Sequence, residues 1–170
     1  PNDLYPESYA KEIKRTLRGL GVKITVLDDK KLEKMGAGAL MAVGKASVNK
    51  PRLVTIEYDG RAKKTKGAQP IALVGKGVTY DTGGYSLKPG ASMEKMKMDM
   101  GGSAAMVGTI KALATNKINT YVVACVALAE NMVAGNGYRV DDVLTSLSGK
   151  TIEVINTDAE GRLCLADALT

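Results

Sequence analysis

The chain has 170 residues, 45% hydrophobic and 25% charged, with a formal net charge of +6 and no histidine. That is a globular composition with enough length for one ordinary domain. The absence of His excludes Ser-His-Asp or Cys-His machinery within the chain and removes the commonest zinc ligand, so chemistry falls to Asp, Glu, Lys, Arg or metal ions.

Apolar positions Ile13, Leu17 and Leu20, with Pro6 near the start and Gly21 past the end, predict an amphipathic helix over 6–20. The polar opening PNDLYPESYAKEIKR carries no secretory signal. VKITVLD (22–28) alternates and predicts a strand. KKLEKMGAGALMAV (30–43) predicts a weaker helix, loosened by Gly36 and Gly38. LVTIEY (53–58) is a predicted strand. The basic run GRAKKTKGAQP (60–70) follows, with Arg61, Lys63, Lys64 and Lys66. It reads as a solvated loop; no binding motif or aromatic interleaving supports nucleic-acid contact. IALVG (71–75) predicts a strand buried on both faces. GGSAAMVGTIKALA (101–114) predicts a helix in which Gly101 and Gly102 allow close backbone approach. YVVACVALA (121–129) is a second buried strand. DDVLTSL (141–147) predicts a short helix with Asp at its start, TIEVI (151–155) a strand, and LCLADALT (163–170) a further helix. Cys125 and Cys164 lie in apolar runs and read as reduced core residues, which favours a cytoplasmic protein. No run approaches the eighteen apolar residues of a membrane span. The alternation predicts an α/β fold, a mostly parallel sheet sandwiched by helices. The last helix lacks a stop signal, so a partial, C-terminally truncated domain is expected.

Two stretches are dense in ionisable groups. ALVGKGVTYDTGGYSLKPGASMEKMKMDMGG (72–102) holds Lys76, Asp81, Lys88 and Asp99. NTDAEGRL (156–163) holds Asp158, Glu160 and Arg162 at spacings of two, which in an extended segment point the same way. Functional groups in α/β sheets collect beyond strand carboxyl ends, and these stretches follow the strands at 71–75 and 151–155. If those strands are parallel neighbours, Asp81, Asp99, Asp158 and Glu160 crowd together. They cannot all stay ionised without cations, and two divalent metals would resolve the conflict. The residues alone leave other readings open. Gly83-Gly84 and Pro89-Gly90 suit plain turns, Asp99 suits a cap on the next helix, and NTDAEG suits a polar turn. VGKG or DTGGYS suits a phosphate cradle, although neither matches a P-loop or dinucleotide fingerprint.

At these residues the sequence resembles the leucyl aminopeptidase family, the dinuclear metallo-exopeptidases also called cytosol aminopeptidases. NTDAEGRL matches the family signature. VGKGVTYDTGGYSLKP and KMDMGGSAAM match two further blocks in the same order, and ENMVAGNGYRVDDVLT and GKTIEVINTDAEGRLCLADALT are also similar. The resemblance implies hydrolysis of the N-terminal peptide bond of peptides, with apolar first residues such as Leu preferred. It implies metal ligation by Lys76, Asp81, Asp99, Asp158 and Glu160. Asp81 and Glu160 would bridge two ions (Zn or Mn, with Mg or Co also suited), Lys76 and Asp99 would hold one, and Asp158 the other. Lys88 and Arg162 would be catalytic, Lys88 at the scissile carbonyl and Arg162 on a bicarbonate that serves as base. Met96 would line the pocket for the first side chain; Asn156 and Ala159 would contact substrate backbone. Lys76 ligates only as a neutral amine, so its pKa, ordinarily about 10.4, must fall below about 7, a shift that an adjacent divalent ion can supply. Val133, Tyr85 and Thr82 depart from common family residues, and none is a ligand. Family chains are longer and form homo-hexamers. Residues 1–170 are therefore expected to be one incomplete catalytic domain without the family's N-terminal domain. The alternative is a non-catalytic interaction module with a basic loop at 61–66.

Overall fold

The computed structural model describes residues 1–64 and 67–170. The main sheet holds β1 (Lys23–Leu27), β2 (Arg52–Asp59), β3 (Ile71–Asp81) and β4 (Tyr121–Asn131) in the order β1-β2-β4-β3. Helices α1 (Pro6–Thr16) and α5 (Gly101–Thr115) cover one face. Helices α2 (Asp29–Met35), α3 (Gly38–Gly44) and α6 (Glu160–Ala168) cover the other. A short α4 (Gly90–Met93) lies between β3 and α5. Strand alternation divides the core. Val54, Ile56, Val126 and Leu128 pack with Ile13, Leu17 and Ile110, while Leu53, Ala127 and Ala129 pack with Leu32, Leu40 and Leu163. Each fully buried aliphatic side chain contributes roughly 1.5–3 kcal/mol.

The α/β class and the two helical layers match the sequence reading, but the sheet is mixed. β3 and β4 are parallel, whereas β1–β2 and β2–β4 are antiparallel. The cause lies in the first two connections. Two helices join β1 to β2, and the chain re-enters the sheet at the end it left, with Leu27 opposite Leu53. The second connection leaves β2 and enters β3 at one end of the sheet, Asp59 opposite Tyr121 and Ile71 opposite Val122. The predicted single helix over 30–43 is split into α2 and α3 by Gly36, whose φ of 83° is left-handed and ends α2. The predicted helix at 141–147 is instead β5 (Val143–Thr145), which pairs antiparallel with β6 (Thr151–Glu153) in a separate two-stranded sheet. Asp141 takes a φ of 71°, and the Asp142 carboxylate accepts the Arg139 backbone N–H at 2.8 Å. These aspartates thus build a turn and not a helix start.

Both cysteines are free thiols, and burial pushes Cys125 up to about 11 and raises Cys164 as well. In the basic run, Arg61 is engaged by Asp59 at 2.9 Å and lies over the Tyr121 ring at 4.6 Å. Lys63 and Lys64 are exposed, and Lys66 lies outside the described residues. Among the described residues, no helix is long and apolar enough to cross a membrane.

Close backbone approach falls at Gly75, where β3 meets α5. A Cβ there would lie 2.7 Å from Ser103 Cα and 3.0 Å from Ser103 N. Gly101 faces open space, and a Cβ on Gly102 would make only ordinary contact, 3.4 Å from Lys76 N, so neither carries the close approach expected of it. The obstacle at Gly75 is backbone, which cannot swing aside as a side chain can. Gly75→Ala is expected to push α5 off the sheet and destabilise the fold by about 1–3 kcal/mol. A chemical denaturation midpoint equal to wild type would refute this.

Candidate metal centre

The site begins where β3 and β4 end side by side. Their register slips between Val78 and Tyr80, after which Asp81 sits opposite Asn131. Such irregularities re-aim side chains at strand ends. Gly83 and Gly84 then turn the chain with φ of 86° and 63°. A Cβ on Gly83 would come within 2.5 Å of the Ser86 carbonyl and 3.0 Å of Asp158 Oδ1, so the turn closes only on glycine.

Thr157, fully buried, stitches this turn to the start of α6. Its hydroxyl donates to the Gly83 carbonyl at 2.6 Å and accepts the Ser86 N–H at 2.7 Å. Its own N–H donates to Ser86 Oγ at 3.1 Å, and its carbonyl accepts the Tyr138 hydroxyl at 2.6 Å. Thr157–Ala159 forms a 3-10 turn whose entry is capped by Asn156, the side-chain oxygen accepting from Asp158 N at 2.7 Å. NTDAEG is therefore a turn running into α6, not an extended segment. The strand before it, β6, is no neighbour of β3. The two dense stretches nonetheless meet, because this turn carries the chain back to the carboxyl end of β3. Asp81, Asp158 and Glu160 each place a carboxylate oxygen within 4.8 Å of the other two.

Two lysines enter the cluster. Lys76 Nζ, from β3, lies 2.8 and 2.7 Å from the two Asp99 oxygens and 2.6 Å from Glu160 Oε1. Lys88 Nζ lies 2.6 Å from Asp158 Oδ1 and 3.1 Å from Asp81 Oδ2. Glu160 thus joins two lobes, one with Lys76 and Asp99, the other with Asp81, Asp158 and Lys88. Asp99 follows the 3-10 turn Met96–Met98 and does not cap α5, whose N-cap is Met100. Lys95, just before that turn, has a left-handed φ of 71°. Met96 is half-buried at the start of the turn, which packs on β3.

Four carboxylates face two ammonium groups, and the balance is incomplete. Glu160 is 1% exposed, yet neither of its oxygens is aligned with a hydrogen-bond donor. Asp99 Oδ2 and Asp158 Oδ1 are likewise buried without an aligned donor. Burial pushes the Glu160 carboxyl up to about 7, with the nearby Asp81 charge adding to the effect and Lys76 opposing it. Burial disfavours the charge on both lysines, but their carboxylate partners outweigh it and raise both. The chain's own groups therefore hold Lys76 as an ammonium. Glu160 Oε1, Asp99 Oδ2 and Asp158 Oδ1 each lie within 2.7 Å of a lysine nitrogen, whereas Glu160 Oε2 has no partner among the described residues. A buried acceptor left unpaired costs about 1–3 kcal/mol, more when charged. A divalent cation that prefers oxygen ligands fits such a set.

Arg162 stands apart. It is exposed on α6 and lines, with Asn156, Ala159, Val154 and Ile155, a cavity of about 370 Å³ beside the acidic cluster's turn. The sequence reading missed three residues of the assembly: Asn131, Thr157 and Gly161. Asn131 had a faint signal, a polar residue closing an apolar strand. Gly161 had none. A Cβ on Gly161 would lie 2.8 Å from Lys76 Cδ, 2.9 Å from Cε and 3.1 Å from Nζ. Its missing side chain is the channel through which Lys76 reaches Glu160. Gly161→Ala should leave the fold intact or stabilise it by up to about 1 kcal/mol, since Ala favours a helix. The flexible Lys76 must yield, and metal uptake should fall at the same time. Melting and metal titration moving in the same direction would rule this out.

The family model for the cytosol aminopeptidase family, catalytic domain, matches residues 1–170. The chain belongs to the cytosol aminopeptidase family. A probable cytosol aminopeptidase of Wolbachia pipientis wMel is 57% identical over 169 residues, which cover 99% of this chain and 33% of that protein. Among solved structures, leucyl aminopeptidase from Trypanosoma brucei in complex with bestatin superposes with a TM-score of 0.91 at 39% identity, covering 99% of this chain and 32% of that one. The bottromycin maturation enzyme BotP in complex with Mn gives a TM-score of 0.89 at 40% identity, covering 99% and 36%. The chain thus spans about a third of the length of the curated relatives it matches.

Proposed function

We propose that residues 1–170 form the metal-binding part of an aminopeptidase catalytic domain that removes N-terminal residues, apolar ones such as Leu preferred, from peptides. The observation that carries this reading is the clustering of the buried Glu160 carboxylate, one oxygen on Lys76 and the other without a partner among the described residues, with Asp81 and Asp158 in one place and Asp99 across Lys76. Lys76 and Asp99 would hold one ion and Asp158 the other, with Asp81 and Glu160 shared between them. Two divalent cations held there, Zn²⁺ or Mn²⁺ by choice and Mg²⁺ or Co²⁺ by compatible chemistry, would supply Lewis acidity and lower the pKa of water for attack on the peptide carbonyl. The complex of BotP with Mn supports this choice of cofactor.

The chain's own groups do the rest. Lys88, kept charged by Asp158 and Asp81, donates to the carbonyl oxygen of the scissile bond and stabilises its developing negative charge. Asp99 meets the substrate's free amine, which restricts cleavage to the N-terminus. Arg162, exposed and forming no ion pair among the described residues, holds bicarbonate as the general base that histidine supplies elsewhere. Met96 offers a deformable apolar wall to the first side chain. Asn156 and Ala159 contact substrate backbone. A cytoplasmic homo-hexamer is the assembly that the family resemblance favours.

The test equilibrates the chain with excess Mn²⁺, removes free ion, and measures retained metal and cleavage of leucinamide against N-acetyl-leucinamide. Retention of about two ions with cleavage of the free amine alone is the expected result. No retained metal overturns the reading; retention without cleavage keeps the metal centre and overturns catalysis by this chain.

A further inference from the structure

We infer that Asn131 is a positioning residue for the metal centre, setting the orientation of Asp81 and its spacing from Asp158 and Glu160. The inference rests on the metal-binding reading above. Asn131 ends β4 and is fully buried. A side-chain amide nitrogen carries two hydrogens, and both are used across elements. Nδ2 donates to Asp81 Oδ1 at 2.8 Å and to the Thr157 carbonyl at 3.1 Å. The first contact holds an acid at the end of β3. The second holds the residue immediately before Asp158. One planar group therefore fixes the distance between the two chain segments that bring the carboxylates together.

The same contact sets which oxygen of Asp81 faces the cluster. Oδ1 is tied from behind by Asn131 and by the Gly83 N–H at 2.8 Å. Oδ2 is left to face Lys88 at 3.1 Å. The Asn131 backbone repeats the pattern, its carbonyl accepting from Thr82 N at 3.0 Å and Thr82 Oγ1 at 2.9 Å. Both side-chain and main-chain atoms of this residue thus hold the turn that follows β3. Outer partners of this kind orient ligands and tune affinity without touching the ion.

The test uses Asn131→Leu, which keeps the branched heavy-atom outline and removes both donors, and Asn131→Asp, which keeps the shape and sets a second carboxylate against Asp81. Co²⁺ alone is the probe, read by titration and by its visible absorption, with melting of the chelated chain as the control for fold. Expected are a Co²⁺ affinity lower by about 10–100-fold and an altered visible spectrum in both variants, with near-native melting in at least one. Wild-type affinity and spectrum in a folded variant overturn the inference while leaving the metal reading intact. A wild-type chain that takes up no Co²⁺ overturns both. Should neither variant fold, the Asn131 side-chain amide protons of the wild-type chain are followed by NMR. Slow solvent exchange and a shift on adding Zn²⁺ are expected, and unmoved resonances overturn the inference.

Discussion

Replacing Asp81 by Asn is expected to remove most metal binding while leaving the fold standing. Asp81 is 2% exposed and its Oδ1 already accepts two hydrogen bonds, from Asn131 and Gly83. An Asn side chain keeps an oxygen for those donors, so packing and these two hydrogen bonds survive, while the contact of Oδ2 with Lys88 is lost. What is lost is one negative charge and one ligand atom at the lobe that also holds Asp158 and Glu160. Retained Mn²⁺ should drop from about two ions per chain to one or none. Asp81→Ala should lose metal to the same degree and also lose about 1–3 kcal/mol of stability, because it strands buried donors. Metal counting by mass spectrometry alongside melting separates the two effects. An Asp81→Asn chain that retains metal like wild type would remove Asp81 from the ligand set.

The second large effect concerns pH. Glu160 has an ordinary value of 4.5, raised in the fold to about 7 chiefly by burial. The folded chain therefore binds the Glu160 proton more tightly than the unfolded chain does. That contribution to stability is fully present below about 4.5 and is lost as pH rises to about 7. A shift of that size corresponds to roughly 3 kcal/mol. Wild-type chain treated with chelator should lose stability over this window relative to Glu160→Gln, which carries no titrating group there. Near pH 8, adding Mn²⁺ should reverse the order. Wild type gains about 2.7 kcal/mol at a concentration 100 times its dissociation constant, while Glu160→Gln gains little. Parallel melting curves for the two chains across this pH range would refute the assignment.

The sequence made some of this legible and hid the rest for physical reasons. β2 and β4 were plain because their alternation feeds both helical layers, with Val54 on one side and Leu53 on the other. The acids were legible through their motifs, and they do converge. Their route was not. An extended NTDAEG beside a parallel neighbour was one expected path and a polar turn the other; the observed path is the turn, a 3-10 turn reached from an isolated hairpin. Three-residue strands such as β5 carry too little pattern to outweigh a pair of aspartates that look like a helix start. Sheet direction depends on how the chain crosses between strands, which the strand residues themselves do not encode; the β1–β2 crossing runs through two helices that part at Gly36. Asn131 and Gly161 escaped because their roles exist only across the fold: one is a donor shared by two distant turns, the other a gap for a lysine far away in the chain.

The two lobes draw on β3, the loop before α5, and the first turn of α6, joined through the single carboxylate of Glu160. No two consecutive segments of the chain can build either lobe. During synthesis the early strands emerge and pair first, yet Glu160 must arrive before any ion finds a complete set of ligands. On the proposed metal reading, loading would therefore be a late event in the life of the molecule. A retained ion would be in effect a certificate of long-range folding, issued only to chains whose distant segments have already met.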